Sequence, residues 1–225
     1  MEKNNPFLIV ANWKSNLVDI NKWKFDVPEK IEVAVAPSFP FLHTVKGFTL
    51  CAQDVSAYPP GAYTGEVAAK LLANIGVKYC LVGHSERRKN LHETNFDVEA
   101  KMNQAIQNGI IPILCAQTLE EIPENIRNLP GNKFMIMYEP SSAISSEGQY
   151  HPEAPEKIQL TLSDWQKKLN LSCRFLYGGS VNPDDCSLFI AHCPLVSGFV
   201  VGHASLEAES FFAIIKKCLQ ALPSD

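Results

Sequence analysis

A chain of 225 residues, 46% apolar and 20% charged, can bury a substantial core and has the composition of an ordinary globular protein. Its formal net charge of −4 and pI near 5.9 argue against a general nucleic-acid binder, which needs a basic face; a small anionic substrate still fits where positive groups converge. No stretch approaches transmembrane length and no secretory layout opens the chain; the seven cysteines form no C-x-x-C pair, so a cytoplasmic protein with neither disulfides nor a zinc site is expected.

Taken in chain order, short and nearly continuous apolar runs read as strands at residues 7–11, 31–36 and 48–52. The segments joining these three are short, so their helices should be stubby or irregular. Val67, Ala68, Leu71, Leu72 and Ile75 then mark one helical face, closed by Gly76 as a C′ residue. A strand at 79–82 follows, then a second helical face at Val98, Met102, Ala105 and Ile106. Strands at 110–114 and 134–138 come next. Ile158, Leu162, Trp165 and Leu169 repeat with helical period, strands at 174–177 and 198–201 follow, and Phe211, Phe212, Ile215, Cys218, Leu219 and Leu222 give the last helix. Eight strands alternating with helices suggest a (β/α)8 barrel or a doubly wound sheet. The count of eight favours an α/β barrel, one domain over residues 1–225.

Polar groups sit just past several strand ends, where such barrels place their ligands. They are Asn12-Trp13-Lys14, Gln53-Asp54, Gly83-His84-Ser85-Glu86-Arg87-Arg88, Glu139, Gly178-Gly179-Ser180 and Gly202-His203. Singly, each has a plainer reading: Lys14 as a surface lysine, Glu139 as a loop carboxylate, Gly178-Gly179 as a turn. Together they suit proton transfer between adjacent carbons of a hydroxy-carbonyl compound. A desolvated Glu139 could act as the base, and His84 and Lys14 could stabilise the enediolate. Backbone N–H groups of Gly179-Ser180 and Gly202-His203 could hold a phosphate handle. No metal or nucleotide cofactor is required, since the chain has no G-x-G-x-x-G after a strand, no H-E-x-x-H and no P-loop.

Over essentially its whole length the chain resembles the triosephosphate isomerase family. The resemblance rests on Asn12-Trp13-Lys14, Ala36-Pro37-Ser38, Gly61-Ala62-Tyr63-Thr64-Gly65-Glu66, the 83–88 run, Tyr138-Glu139-Pro140, Tyr177-Gly178-Gly179-Ser180-Val181 and Gly198-Phe199-Val200-Val201-Gly202. It implies a TIM barrel that interconverts D-glyceraldehyde 3-phosphate and dihydroxyacetone phosphate through an enediolate, in glycolysis and gluconeogenesis, without a cofactor. It implies Glu139 as base, His84 as neutral electrophile, and Lys14 as charge stabiliser placed by Asn12. Glu86 and Ser85 would support these groups, and Ser180 and Gly202 would bind phosphate. Residues 140–148 would form a lid, and loop 58–66 would build a homodimer with Thr64 at the partner's site. The rival readings are a related phosphosugar isomerase and a barrel that binds a phosphorylated ligand without turnover.

The chain departs from the family's pattern in three places. Ser142 replaces the hinge Trp of the lid, and Ser145 stands where the family has a phosphate-binding Gly. His203 replaces the second Gly after the eighth strand, where it would crowd the phosphate or add a donor. The loop after the fifth strand, Cys115-Ala116-Gln117-Thr118, lacks the family's carboxylate, and the segment from Thr118 to Phe134 that follows is shorter than the family's, so the fifth helix should be reduced.

Overall fold

In the computed structural model, residues 5–143, 151–170 and 172–223 are described. Eight strands close into a barrel in chain order: β1 (Phe7–Asn12), β2 (Ile31–Ala36), β3 (Thr49–Ala52), β4 (Val77–Val82), β5 (Ile111–Ala116), β6 (Met135–Tyr138), β7 (Arg174–Tyr177) and β8 (Val196–Val201). Every neighbouring pair is parallel, including β1 with β8, which closes the ring and leaves no edge strand. The helices are α1 (Ala69–Asn74), α2 (Ser85–Leu91), α3 (Asn95–Gln107), α4 (Pro155–Leu169), α5 (Cys186–His192) and α6 (Ala208–Ala221). The barrel expected from the sequence is therefore the fold.

Alternation along each strand divides the core into two shells. Leu8, Val10, Ala34, Cys51, Tyr79, Leu81, Ile113, Met135, Met137, Leu176 and Val200 fill the barrel interior. Their strand neighbours, such as Ile9, Val33, Cys80, Leu114, Ile136, Phe175 and Phe199, face outward and pack under the helices. Both sides of most strand positions are buried, which is why the strands read as nearly continuous apolar runs.

The short β1–β2 and β2–β3 connections carry only 3-10 turns, at Ile20–Lys22 and Phe39–Thr44. Between β5 and β6 the reduced helix is three 3-10 turns, Leu119–Glu121, Glu124–Asn128 and Gly131–Lys133. Pro123 and Pro130 cap the last two, and the residue before a proline is disfavoured in helical conformation. α3 starts on a capping box, in which Thr94 Oγ1 accepts from the Asp97 N–H and Asp97 Oδ2 from the Thr94 N–H. All seven thiols are free. Burial pushes Cys173 up to about 12 and Cys193 up to about 11. Among the described residues no helix is long and apolar enough to cross a membrane.

Candidate active site

The inward parity of the strands continues past their C-terminal ends. Asn12 follows Leu8 and Val10, and Glu139 follows Met135 and Met137, so both side chains point into the barrel mouth. Gly178 and Gly202 continue Leu176 and Val200 in the same way. His84 has the opposite parity to Tyr79 and Leu81, but Gly83 takes a φ of 70° and the chain turns there. The turn brings His84 into the same cleft. Asn12, Lys14, His84, Glu139, Ser180, Gly202 and His203 all line this opening.

Lys14 sits at φ 51°, a left-handed conformation uncommon outside glycine, and three side chains hold it there. Asn12 Oδ1 accepts from the Lys14 N–H at 3.1 Å. The Lys14 carbonyl accepts from Gln53 Nε2 at 2.7 Å and from Ser38 Oγ at 3.0 Å. Its ammonium pairs with Glu86 Oε1 at 2.7 Å.

His84 is buried and is the N-cap of α2. Its Nδ1 accepts from the Glu86 N–H at 3.3 Å. A ring nitrogen that accepts carries no proton, so the hydrogen bonding assigns His84 as the neutral Nε2–H tautomer. Glu86 Oε2 stands 3.7 Å from the same Nδ1, too far for a hydrogen bond. The Nε2–H faces Glu139 Oε1 at 3.3 Å, and the Ser85 N–H donates to Glu139 Oε2 at 3.3 Å. Glu139 is only 3% exposed, so these two donors at the head of α2 take the place of water around its carboxylate.

Across the cleft, Ser180 gives both its N–H and its hydroxyl to the Ala143 carbonyl, each at 2.9 Å, and Ser180 Oγ accepts from the His151 N–H. Gly178 and Gly179 have no room for a side chain: an added Cβ would stand 2.3 Å from Met137 Sδ at one and 2.2 Å from the Tyr177 hydroxyl at the other. Bare backbone is thus presented to the cleft. At Gly202 an added Cβ would meet Lys14 Cε at 3.5 Å, an ordinary contact.

The other sequence expectations fall as follows. Glu86 and Ser85 stand beside Lys14 and Glu139. Thr64 is exposed and lies outside its own chain's cleft. Ser145 and positions 144–148 of the expected lid lie outside the described residues. Arg87 and Arg88 leave the site. Arg87 joins Asp54 and Glu93, while Arg88 binds the Gly83 carbonyl, Asn95 and the Glu121 carbonyl. Gln53 and Ser38 were missed as positioners of Lys14; the available signal was that Gln53 continues the inward parity of Cys51. Among the described residues no group of three His, Cys, Asp or Glu side chains is placed to hold a metal.

A model of the family described as Triosephosphate isomerase matches residues 7–218. The chain is 36% identical to "Triosephosphate isomerase" of Thermus thermophilus, over 93% of this chain and 97% of that protein. It is 36% identical to the protein of that name from Coxiella burnetii strain Dugway, over 95% and 98%. It is 32% identical to that from Mesomycoplasma hyorhinis, over 92% and 97%.

Proposed function

The chain belongs to the triosephosphate isomerase family, and from that premise we propose that this cleft interconverts D-glyceraldehyde 3-phosphate and dihydroxyacetone phosphate with Glu139 as the base. The observation that carries the assignment is the buried Glu139 carboxylate, held between the His84 Nε2–H and the Ser85 N–H at the cleft. Glu139 takes a proton from one carbon of the substrate and returns it to the neighbouring carbon. The charge that develops lies on the two oxygens. The neutral His84 donates its Nε2–H to them and passes the hydroxyl proton between them, while the Lys14 ammonium offsets the negative charge. Gly179, Ser180, Gly202 and His203 bind the phosphate, a reading supported by the bare backbone at Gly178–Gly179. The residues act as one domain, and the reaction is that of a glycolytic isomerase.

Loop 58–66 pairs two copies of the chain and carries Thr64 into the partner's site. The exposed rings of Tyr58 and Tyr63, stacked 4.4 Å apart at 7°, support this surface. Seven free thiols suit the reducing cytoplasm.

A coupled isomerase assay tests the proposal. The unaltered protein is expected to turn over both triose phosphates, and Glu139→Ala to abolish that activity. Glu139→Asp is expected to lower kcat by about 10²-fold with little change in KM, because it withdraws the carboxylate by about 1 Å. Equal rates for the unaltered protein and Glu139→Ala would overturn the assignment.

A further inference from the structure

We propose that Glu153 is a positioning residue for Glu139, acting through Tyr138; the proposal rests on the assignment of Glu139 as the base. Glu153 lies just before α4, and its side chain is only 4% exposed. A carboxylate so buried needs partners, and it has three. Tyr138 Oη donates to Oε2 at 2.8 Å. The Lys157 ammonium pairs with Oε1. Ser142 Oγ stands 3.5 Å from the same oxygen, at the limit of a hydrogen bond. The Glu153 N–H also donates to the Tyr177 hydroxyl at 3.2 Å. One residue thus ties together the ends of β6 and β7, the turn after Glu139, and the head of α4.

The placement along the chain gives these contacts their consequence. Tyr138 immediately precedes Glu139, and Ser142 follows it by three residues, so the base is bracketed by two side chains that reach one carboxylate. Alternation sends Tyr138 outward and Glu139 inward from the same strand end. Fixing the Tyr138 ring therefore fixes the peptide that aims the base. The ring is held on its other sides too, edge-on to Trp165 at 5.2 Å and tilted against Tyr177 at 6.5 Å. Burial, and then the neighbouring Glu153 carboxylate, push the Tyr138 hydroxyl up, so it stays protonated and donating. The Glu139 N–H is bonded to the Ala116 carbonyl at 3.0 Å, which leaves the outward tether as the adjustable element.

Glu153→Gln, Tyr138→Phe and the double variant test this, each compared with the unaltered protein by thermal melting, by kcat and KM on triose phosphates, and by inhibition with inorganic phosphate. Each single variant is expected to lose about tenfold or more in kcat, as a base misplaced by a fraction of an ångström does. KM and the inhibition constant for phosphate should stay within about twofold, since the phosphate contacts are elsewhere. The double variant should lose no more than the worse single one, because both act through one contact. Tyr138→Phe removes only a hydroxyl, so it carries the test if Glu153→Gln does not fold. Folded variants with unchanged kcat, a loss confined to KM, or losses that multiply in the double variant would each overturn the proposal. An unaltered protein without isomerase activity would overturn the functional assignment itself, and this proposal with it.

Discussion

Lys101→Met should strip the counter-charge from two buried carboxylates behind the site. Lys101 lies on α3, and its side chain is 7% exposed. The ammonium reaches Asp54 Oδ1 at 2.9 Å and Oδ2 at 2.8 Å, and it also binds Glu93 Oε1. Arg87 is the other cation of the cluster, bonded to Asp54 at 2.9 Å and to Glu93 at 2.5 Å. With both cations present the four formal charges cancel. Methionine keeps most of the volume but leaves two carboxylates to Arg87 alone, and Glu93 Oε2 already has no hydrogen-bond partner among the described residues. At an effective dielectric of about 20, each ion contact near 2.8 Å is worth about 6 kcal/mol gross. Desolvation of the ammonium offsets most of that, and breaking one side of a buried pair leaves a net loss of about 3–5 kcal/mol. For a chain of this size, each kcal/mol moves the melting temperature by roughly 2–4 °C, so the variant should melt about 6–20 °C lower.

The pH dependence gives this prediction a second handle. Burial, the largest influence, raises the Asp54 carboxyl above its usual range even with Lys101 beside it. An acid raised in the folded state contributes full stability below its unfolded value and loses it as pH rises through the folded value. Removing Lys101 raises Asp54 further. The gap in melting temperature between variant and unaltered protein should therefore narrow as pH falls from 7 toward 5. Melts at fixed protein concentration across that range provide the check. A loss under about 1 kcal/mol at pH 7, or a gap that widens in acid, would refute the reasoning.

Two further outcomes follow from the geometry. Gly179→Ala places a Cβ 2.2 Å from the Tyr177 hydroxyl and 3.0 Å from Ala143 Cβ. It should cost about 1–3 kcal/mol and raise KM, read by melting and kinetics; an unchanged KM would show that the loop can shift freely. Replacing Tyr58 and Tyr63 by serine removes the stacked exposed pair, and sedimentation at micromolar concentration should show a dimer become monomer. A monomeric unaltered protein with full activity would refute the pairing.

All eight strands were legible because burial on both faces makes most of their residues apolar. Their limits slipped where a residue broke the run: exposed Lys78 hid the start of β4, and Ser197 hid the start of β8. α5 left no signal, since seven residues with only Cys186 and Phe189 buried give too little periodicity to read. At the site, the position of Asn12 and Glu139 just past apolar strand ends was what pointed to them. The clamp on Lys14 left one trace in the sequence, the inward parity of Gln53, and none for Ser38, because side chains bonding to distant backbone follow no sequence spacing. Nothing in the sequence singles out Glu153; it becomes buried only where the head of α4 meets Tyr138 and Tyr177.

The polar groups of the cleft are already spoken for by one another. The His84 Nε2–H and the Ser85 N–H serve Glu139, the Lys14 ammonium serves Glu86, and the Ser180 N–H serves the Ala143 carbonyl. A substrate under the proposed function would therefore exchange partners with these groups. Each exchange trades one hydrogen bond for another, and such trades are worth only about 0.5–1.5 kcal/mol net. Ground-state binding gains little from them. Once charge builds on the substrate oxygens, the same donors gain strength, since bonds to a charged acceptor are roughly twice as strong as neutral ones. The gain then falls on the transition state, which is where binding energy raises kcat. The run from Gly83 to Arg88 follows the same logic. His84 and the Ser85 N–H turn toward the Glu139 carboxylate, while Arg87 and Arg88 hold the turn on which both are mounted.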